Sequence, residues 1–84
     1  MELNEKINLI VTNKDLAAFV DAMRIDLLAN PSSWENATLE RFLEAMAAWS
    51  RSMEHVYKNT GRSFPEQPSW KMMAEILYAA KIYE

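Results

Sequence analysis

The chain has 84 residues, half of them hydrophobic, with a single glycine, no cysteine and a formal net charge of −3. One domain of this size buries about 60 to 65% of the surface its unfolded form exposes, and the missing cysteine excludes disulfides, thiolate metal sites and thiol nucleophiles. No apolar run approaches the roughly 20 residues that span a bilayer, and the first eleven residues, MELNEKINLIV, carry acids where a secretory signal carries bases. The expectation is a cytoplasmic protein with no membrane segment. One glycine beside six methionines favours helices packed on helices over a turn-rich sheet.

Residues 1–11 fit two patterns: Ile7, Leu9 and Val11 alternate as in a short strand, while Leu3, Ile7 and Ile10 suit a helical turn. Both stay open at this stage. Thr12 followed by Asp15 is a helix start, since both side chains can accept free amide hydrogens and the acid complements the helix dipole. A helix over 13–29 follows, with Leu16, Phe19, Val20, Met23 and Leu27 on one face. Asn30-Pro31 ends it, because the residue before proline avoids the helical region. Ile25 lies opposite that face beside Ala18 and Ala22 and is a candidate exposed contact.

The stretch PSSWENATLERFL, residues 31–43, is rich in capping side chains around a tryptophan. Ser32 with Glu35 reads as a capping box, with Asn36 or Thr38 as a second start, giving a single turn around Trp34 and then a long helix over 38–59. Leu39, Phe42, Met46, Trp49, Met53 and Val56 recur at spacings of 3 and 4, a heptad seam widened by Leu43 and Tyr57. Gly61 is placed to end this helix in a left-handed cap. Pro65 and Pro68 lie in the loop that follows. The P-x-x-P match of 65–68 is weaker evidence for a polyproline ligand than for a stiff spacer.

Ser69 caps a third main helix over 70–83, with Trp70, Met73, Ala74, Leu77 and Ala80 on one face. Met72, Ile76, Ala79 and Tyr83 extend the apolar arc past half the circumference, and Lys81 intrudes on its edge. Such a helix either lies between two others or turns its second side to another molecule. Met72, Ile76, Ala79 and Tyr83, with Ile25, are therefore the candidate partner-contact residues. Trp34 and Trp70 each follow a serine at a helix entrance and read as wedges that pack inward while the indole N–H finds a partner.

Chemistry-bearing constellations are sparse. His55, the one histidine, sits opposite the seam near Glu44, Ala48 and Arg51, and nothing in the spacing supplies the further groups a catalytic base needs. Glu40 and Glu44 make the long helix's first turns acidic, and Glu54 with Lys58 is an ordinary i,i+4 surface pair. No phosphate loop, dinucleotide turn, zinc or calcium pattern is present, so no catalytic residue, cofactor, metal or small-molecule substrate is expected. Nucleic acid is disfavoured because Arg41, Arg51 and Lys58 alternate with Glu40, Glu44 and Glu54, leaving no positive stripe.

The pattern W-E-N-x-T-L-E-x-F-L-E-A (Trp34 to Ala45), the downstream Trp49, P-E-Q-P-S-W (Pro65 to Trp70) and the ending I-L-x-A-A-x-x-Y-E (Ile76 to Glu84) resemble a family of small stand-alone bacterial proteins classed as a domain of unknown function. The resemblance covers residues 12–84. It implies a bacterial cytosolic origin and a compact domain ending at Tyr-Glu, and it brings no activity, cofactor or catalytic residue.

The sequence thus predicts an all-α bundle of three main helices with a short N-terminal segment. Its core is Leu16, Phe19, Val20, Met23, Leu27, Trp34, Leu39, Phe42, Leu43, Met46, Trp49, Met53, Val56, Trp70, Met73, Ile76, Leu77 and Ala80. The function it favours is a non-enzymatic protein interaction module, including a homodimer through the second side of the last helix. An immunity or inhibitor protein that masks a basic toxin surface is the alternative. An enzyme using His55 with Glu44 or Glu54 is the weakest reading.

Overall fold

The computed structural model describes residues 2–83, among which the secondary structure is entirely helical. The ambiguous amino terminus resolves as helix. A single turn, α1 (Leu3–Lys6), runs into a 3-10 turn, Ile7–Leu9. Ile7 and Ile10 are buried and Leu9 and Val11 exposed. The helical pattern wins over the alternating one because these two isoleucines join the core formed by Phe19, Met23, Trp34 and Ala74.

Helix α2 (Asn13–Ala29) starts as the sequence predicts. Thr12 Oγ1 accepts the Asp15 amide at 3.2 Å, and Asp15 Oδ2 accepts the amides of Thr12 at 3.0 Å and Val11 at 2.9 Å. Those backbone donors, Val11 first and then Thr12, hold the Asp15 carboxyl below its ordinary value of 3.8. The connection to the next helix differs from expectation. Pro31–Ser33 form a 3-10 turn ahead of Trp34, and Ser33 Oγ donates to the Asn30 carbonyl, so no Ser32–Glu35 capping box exists. Thr38 alone caps α3 (Leu39–Asn59), accepting the Arg41 amide at 3.2 Å.

At 1.5 Å per residue the 21 residues of α3 reach about 32 Å and set the long dimension of the molecule, 35 Å. Its end is a full left-handed cap. Gly61 has φ 73°, its N–H donates to Lys58 O, and the Arg62 N–H donates to Tyr57 O at 2.8 Å. Ser69 Oγ accepts the Met72 amide and opens α4 (Trp70–Ile82), with Tyr83 already extended.

Helix α4 is the centre of the arrangement. It packs against both α3 and α2, and also meets the 3-10 turn Ile7–Leu9, while α2 and α3 meet each other little. Alanines make this possible: Ala74 and Ala80 are fully buried and Ala79 nearly so, which lets backbones approach on more than one side. Most of the wide apolar arc of α4 is therefore covered within the chain, Trp70 excepted. Met72 packs with Met53 and Tyr57 against α3, and Ala74 belongs to the core shared with α2.

This placement corrects part of the expected core. Val20 is 44% exposed, Leu39 74%, Leu43 52% and Trp70 48%. Periodicity identified the apolar faces of α2 and α3 and allowed the last helix to lie between them, but it could not say how much of each face that helix covers. Each is turned to α4, so one edge of each stripe stays uncovered. The flattened shape, 35 × 27 × 18 Å with a radius of gyration of 12.8 Å against about 12 Å for a compact chain of this length, matches that open arrangement.

Candidate functional site

Trp34 fixes how the pieces meet. Its ring is buried and stacks on Phe42 with centroids 6.1 Å apart, and its Nε1–H donates to Asp26 Oδ2 at 2.8 Å. The same oxygen accepts Lys81 Nζ at 3.0 Å, and the ammonium lies 5.3 Å from the Trp34 ring centroid. Lys81, only 9% exposed, is buried because its charge meets both a carboxylate and an aromatic face. Lys81 first and Trp34 second hold the Asp26 carboxyl below its ordinary value. Asn36 completes the clamp: its N–H donates to Lys81 O, and Nδ2 donates to Ala80 O at 3.0 Å and Tyr83 O at 2.7 Å. The tryptophan at this helix entrance is a wedge, as its sequence context predicts, and Trp70 at the other entrance is not.

Two grooves flank this clamp. The first, about 300 Å³, lies between α2 and α3, with Val20, Met23, Leu27, Leu39 and Phe42 on its sides and Trp34 and Leu77 among its lining. Nearly everything it offers is apolar. Leu43, one turn beyond Leu39 on α3, continues the exposed strip past the groove's end.

The second, about 460 Å³, lies along α3 and α4 and is lined by Ile7, Trp49, Val56, Tyr78, Ala79, Ile82 and Tyr83, with Arg62 and Glu75 as its charged members. Trp49 and Tyr83 meet edge to face at 5.5 Å, and the buried Trp49 Nε1 has no hydrogen-bond partner among the described residues. Glu75 Oε2 accepts the Tyr57 hydroxyl at 3.3 Å and lies 4.0 Å from Arg62 Nη1. The Arg62 guanidinium rests over the Tyr57 ring at 4.1 Å, and its Nε donates to Thr60 Oγ1 at 3.2 Å. Burial first, then the Glu75 charge, raises the Tyr57 hydroxyl above its ordinary value.

Of the candidate partner contacts, Met72 and Ala79 are buried inside the chain, Ile76 and Tyr83 are half-buried, and Ile25 is exposed. Met72 and Ala79 thus present little free surface, because α4 packs on both α2 and α3 within the molecule. Ile25 borders a shallow hollow with Glu2, Lys6, Asp26 and Lys81, beside the α1 turn. His55, Glu44 and Glu54 are all exposed on α3 and line neither groove. Among the described residues no three His, Cys, Asp or Glu side chains come together as a metal site requires.

Sequence pattern did not single out Asp26, Arg62 or Glu75, and it offered Asn36 only as a helix start, a role that Thr38 takes. Only Lys81, a charge on an apolar arc, signalled that a buried partner was needed. Among the described residues no helix is long and apolar enough to cross a membrane. Comparison with curated proteins finds no significant match, and neither does comparison with solved structures. The model of the family of unknown function DUF7660 matches residues 12–84, and the chain belongs to that family.

Proposed function

We propose that this chain is a non-enzymatic protein interaction domain whose groove between α2 and α3 receives an amphipathic helix of a partner protein. The observation that carries this reading is the exposed strip of Val20, Leu39 and Leu43, which continues a floor of buried Trp34 and partly buried Phe42 and Leu77. Because α2 and α3 both rest on α4 and barely touch, a helix laid between them occupies the place of a fourth bundle member, with its i, i+3, i+4 and i+7 side chains entering the groove. Glu35, Glu40 and Glu44 are exposed around the start of α3 and the net charge is −3, so a helix with Lys or Arg along its flank is the complementary partner.

The same acidity favours a more specific second reading, an immunity or inhibitor protein that covers a basic surface of a toxin. Both readings place the protein in the bacterial cytoplasm. The test compares the wild-type chain with a Val20→Ser/Leu39→Ser variant as bait, with cross-links mapping the captured segment. The proposal expects a partner helix with a basic flank that is lost with the variant. Equal capture by both baits, or cross-links away from the groove, contradicts it.

A further inference from the structure

The groove along α3 and α4 contains three polar side chains, Arg62, Glu75 and Trp49, whose hydrogen-bonding capacity is only partly taken up among the described residues, Arg62 and Glu75 facing each other as a long ion pair. Arg62 is held by its stack on Tyr57 and by its Nε bond to Thr60, yet Nη1 stands 4.0 Å from Glu75, beyond hydrogen-bond length, and Nη2 meets no acceptor among the described residues. Glu75, whose side chain is one-fifth exposed, takes the Tyr57 hydroxyl on Oε2, while Oε1 meets no donor among the described residues. Trp49 Nε1–H, buried in the same wall, has no acceptor among the described residues. A guanidinium preorganised on an aromatic face with its terminal donors unused is suited to a carboxylate, and a half-buried carboxylate beside aromatic rings is suited to an ammonium group. Neither charge alone fits, because a simple anion meets Glu75 and a simple cation meets Arg62.

We propose that this groove binds a zwitterionic small molecule, an α-amino acid with an apolar side chain. Its carboxylate faces Arg62, its ammonium faces Glu75, and its side chain lies against Val56, Ile82 and the rings of Trp49 and Tyr83. The site is far smaller than a protein interface and its volume is of the size small ligands occupy, about 300 to 1,000 Å³. It is separate from the groove between α2 and α3, so it stands or falls independently of the protein-binding reading.

The test titrates the isotope-labelled full chain with L-phenylalanine, with 3-phenylpropanoate, which lacks the ammonium, and with phenethylamine, which lacks the carboxylate, following the Trp49 indole and Ile82 amide signals by NMR. Saturable shifts are expected with L-phenylalanine at a Kd on the order of 1 mM, with each singly charged analogue about tenfold weaker or more. Glu75→Gln weakens L-phenylalanine about tenfold without weakening 3-phenylpropanoate, and Arg62→Gln weakens it without weakening phenethylamine. The proposal is overturned by the absence of shifts, by equal shifts from all three compounds, or by variants that weaken all three alike. Should Glu75→Gln fail to fold, the Arg62→Gln comparison decides alone, since Arg62 is half exposed and its loss leaves the core intact.

Discussion

Asp26 and Lys81, 55 residues apart in the chain, meet at 3.0 Å and tie α2 to α4 through an oxygen that Trp34 also engages. Removing the carboxylate leaves a mostly buried ammonium and an indole N–H without their acceptor. Asp26→Ala is expected to cost about 2 kcal/mol, below the range for fully buried pairs because Asp26 retains some solvent contact. Urea unfolding at neutral pH measures it.

The same pair sets an acid dependence. Asp26 has a lowered pKa in the folded state, so between that value and its ordinary 3.8 the unfolded chain binds more protons than the folded one. The stability it contributes is fully present above the unfolded value and is lost as pH falls through the folded one; Asp15, lowered by the amides of Val11 and Thr12, adds in the same direction. Unfolding free energy measured from pH 5 downward should fall, and the fall should be shallower in Asp26→Asn. An identical acid slope in wild type and variant contradicts this account.

Trp34 combines a buried ring with a donated hydrogen bond, and two substitutions separate them. Trp34→Ala removes both and is expected to cost about 3 to 5 kcal/mol, enough to leave a domain of this size largely unfolded by circular dichroism. Trp34→Phe keeps a ring against Phe42 and should remain folded with a melting temperature lower by several degrees.

Asn36 holds the last turn of α4 by two side-chain bonds to the carbonyls of Ala80 and Tyr83. Asn36→Ala should cost about 1 to 2 kcal/mol. Amide hydrogen exchange should accelerate at the carboxyl-terminal end of α4 more than in the middle of α3, because the lost bonds are local to that turn.

At Gly61 the cost is conformational and not steric. A Cβ there meets nothing within 4 Å, but φ of 73° is disfavoured for any other residue. Gly61→Ala is expected to lose about 1 kcal/mol, with α3 ending at the same residue.

Local signals in the sequence carried most of the helix boundaries. Thr12, Thr38, Ser69 and Gly61 act as caps by chemistry confined to a few neighbouring residues, and each does so in the structure. The failures arose where local pattern is silent about which face meets which. Leu39 and Leu43 share a seam with Met53, yet only Met53 is buried, because α4 covers one part of the stripe and leaves the other open. Trp70 follows a capping serine as Trp34 almost does, but only Trp34 has an aspartate placed for its N–H. The Arg62–Tyr57–Glu75 cluster joins a loop to two helices, and no spacing rule brings those three together.

Leu39 and Leu43, though written in a core rhythm, lie exposed along the groove proposed for a partner helix. The most direct measurement is the unfolding free energy of a Leu39→Ser/Leu43→Ser variant in urea beside Met53→Ala. The account predicts that the double variant stays within about 1 kcal/mol of wild type while Met53→Ala loses about 2 to 4 kcal/mol. A loss in the double variant as large as that of Met53→Ala would show that the two leucines belong to the core, and the open groove with its proposed helix would be wrong.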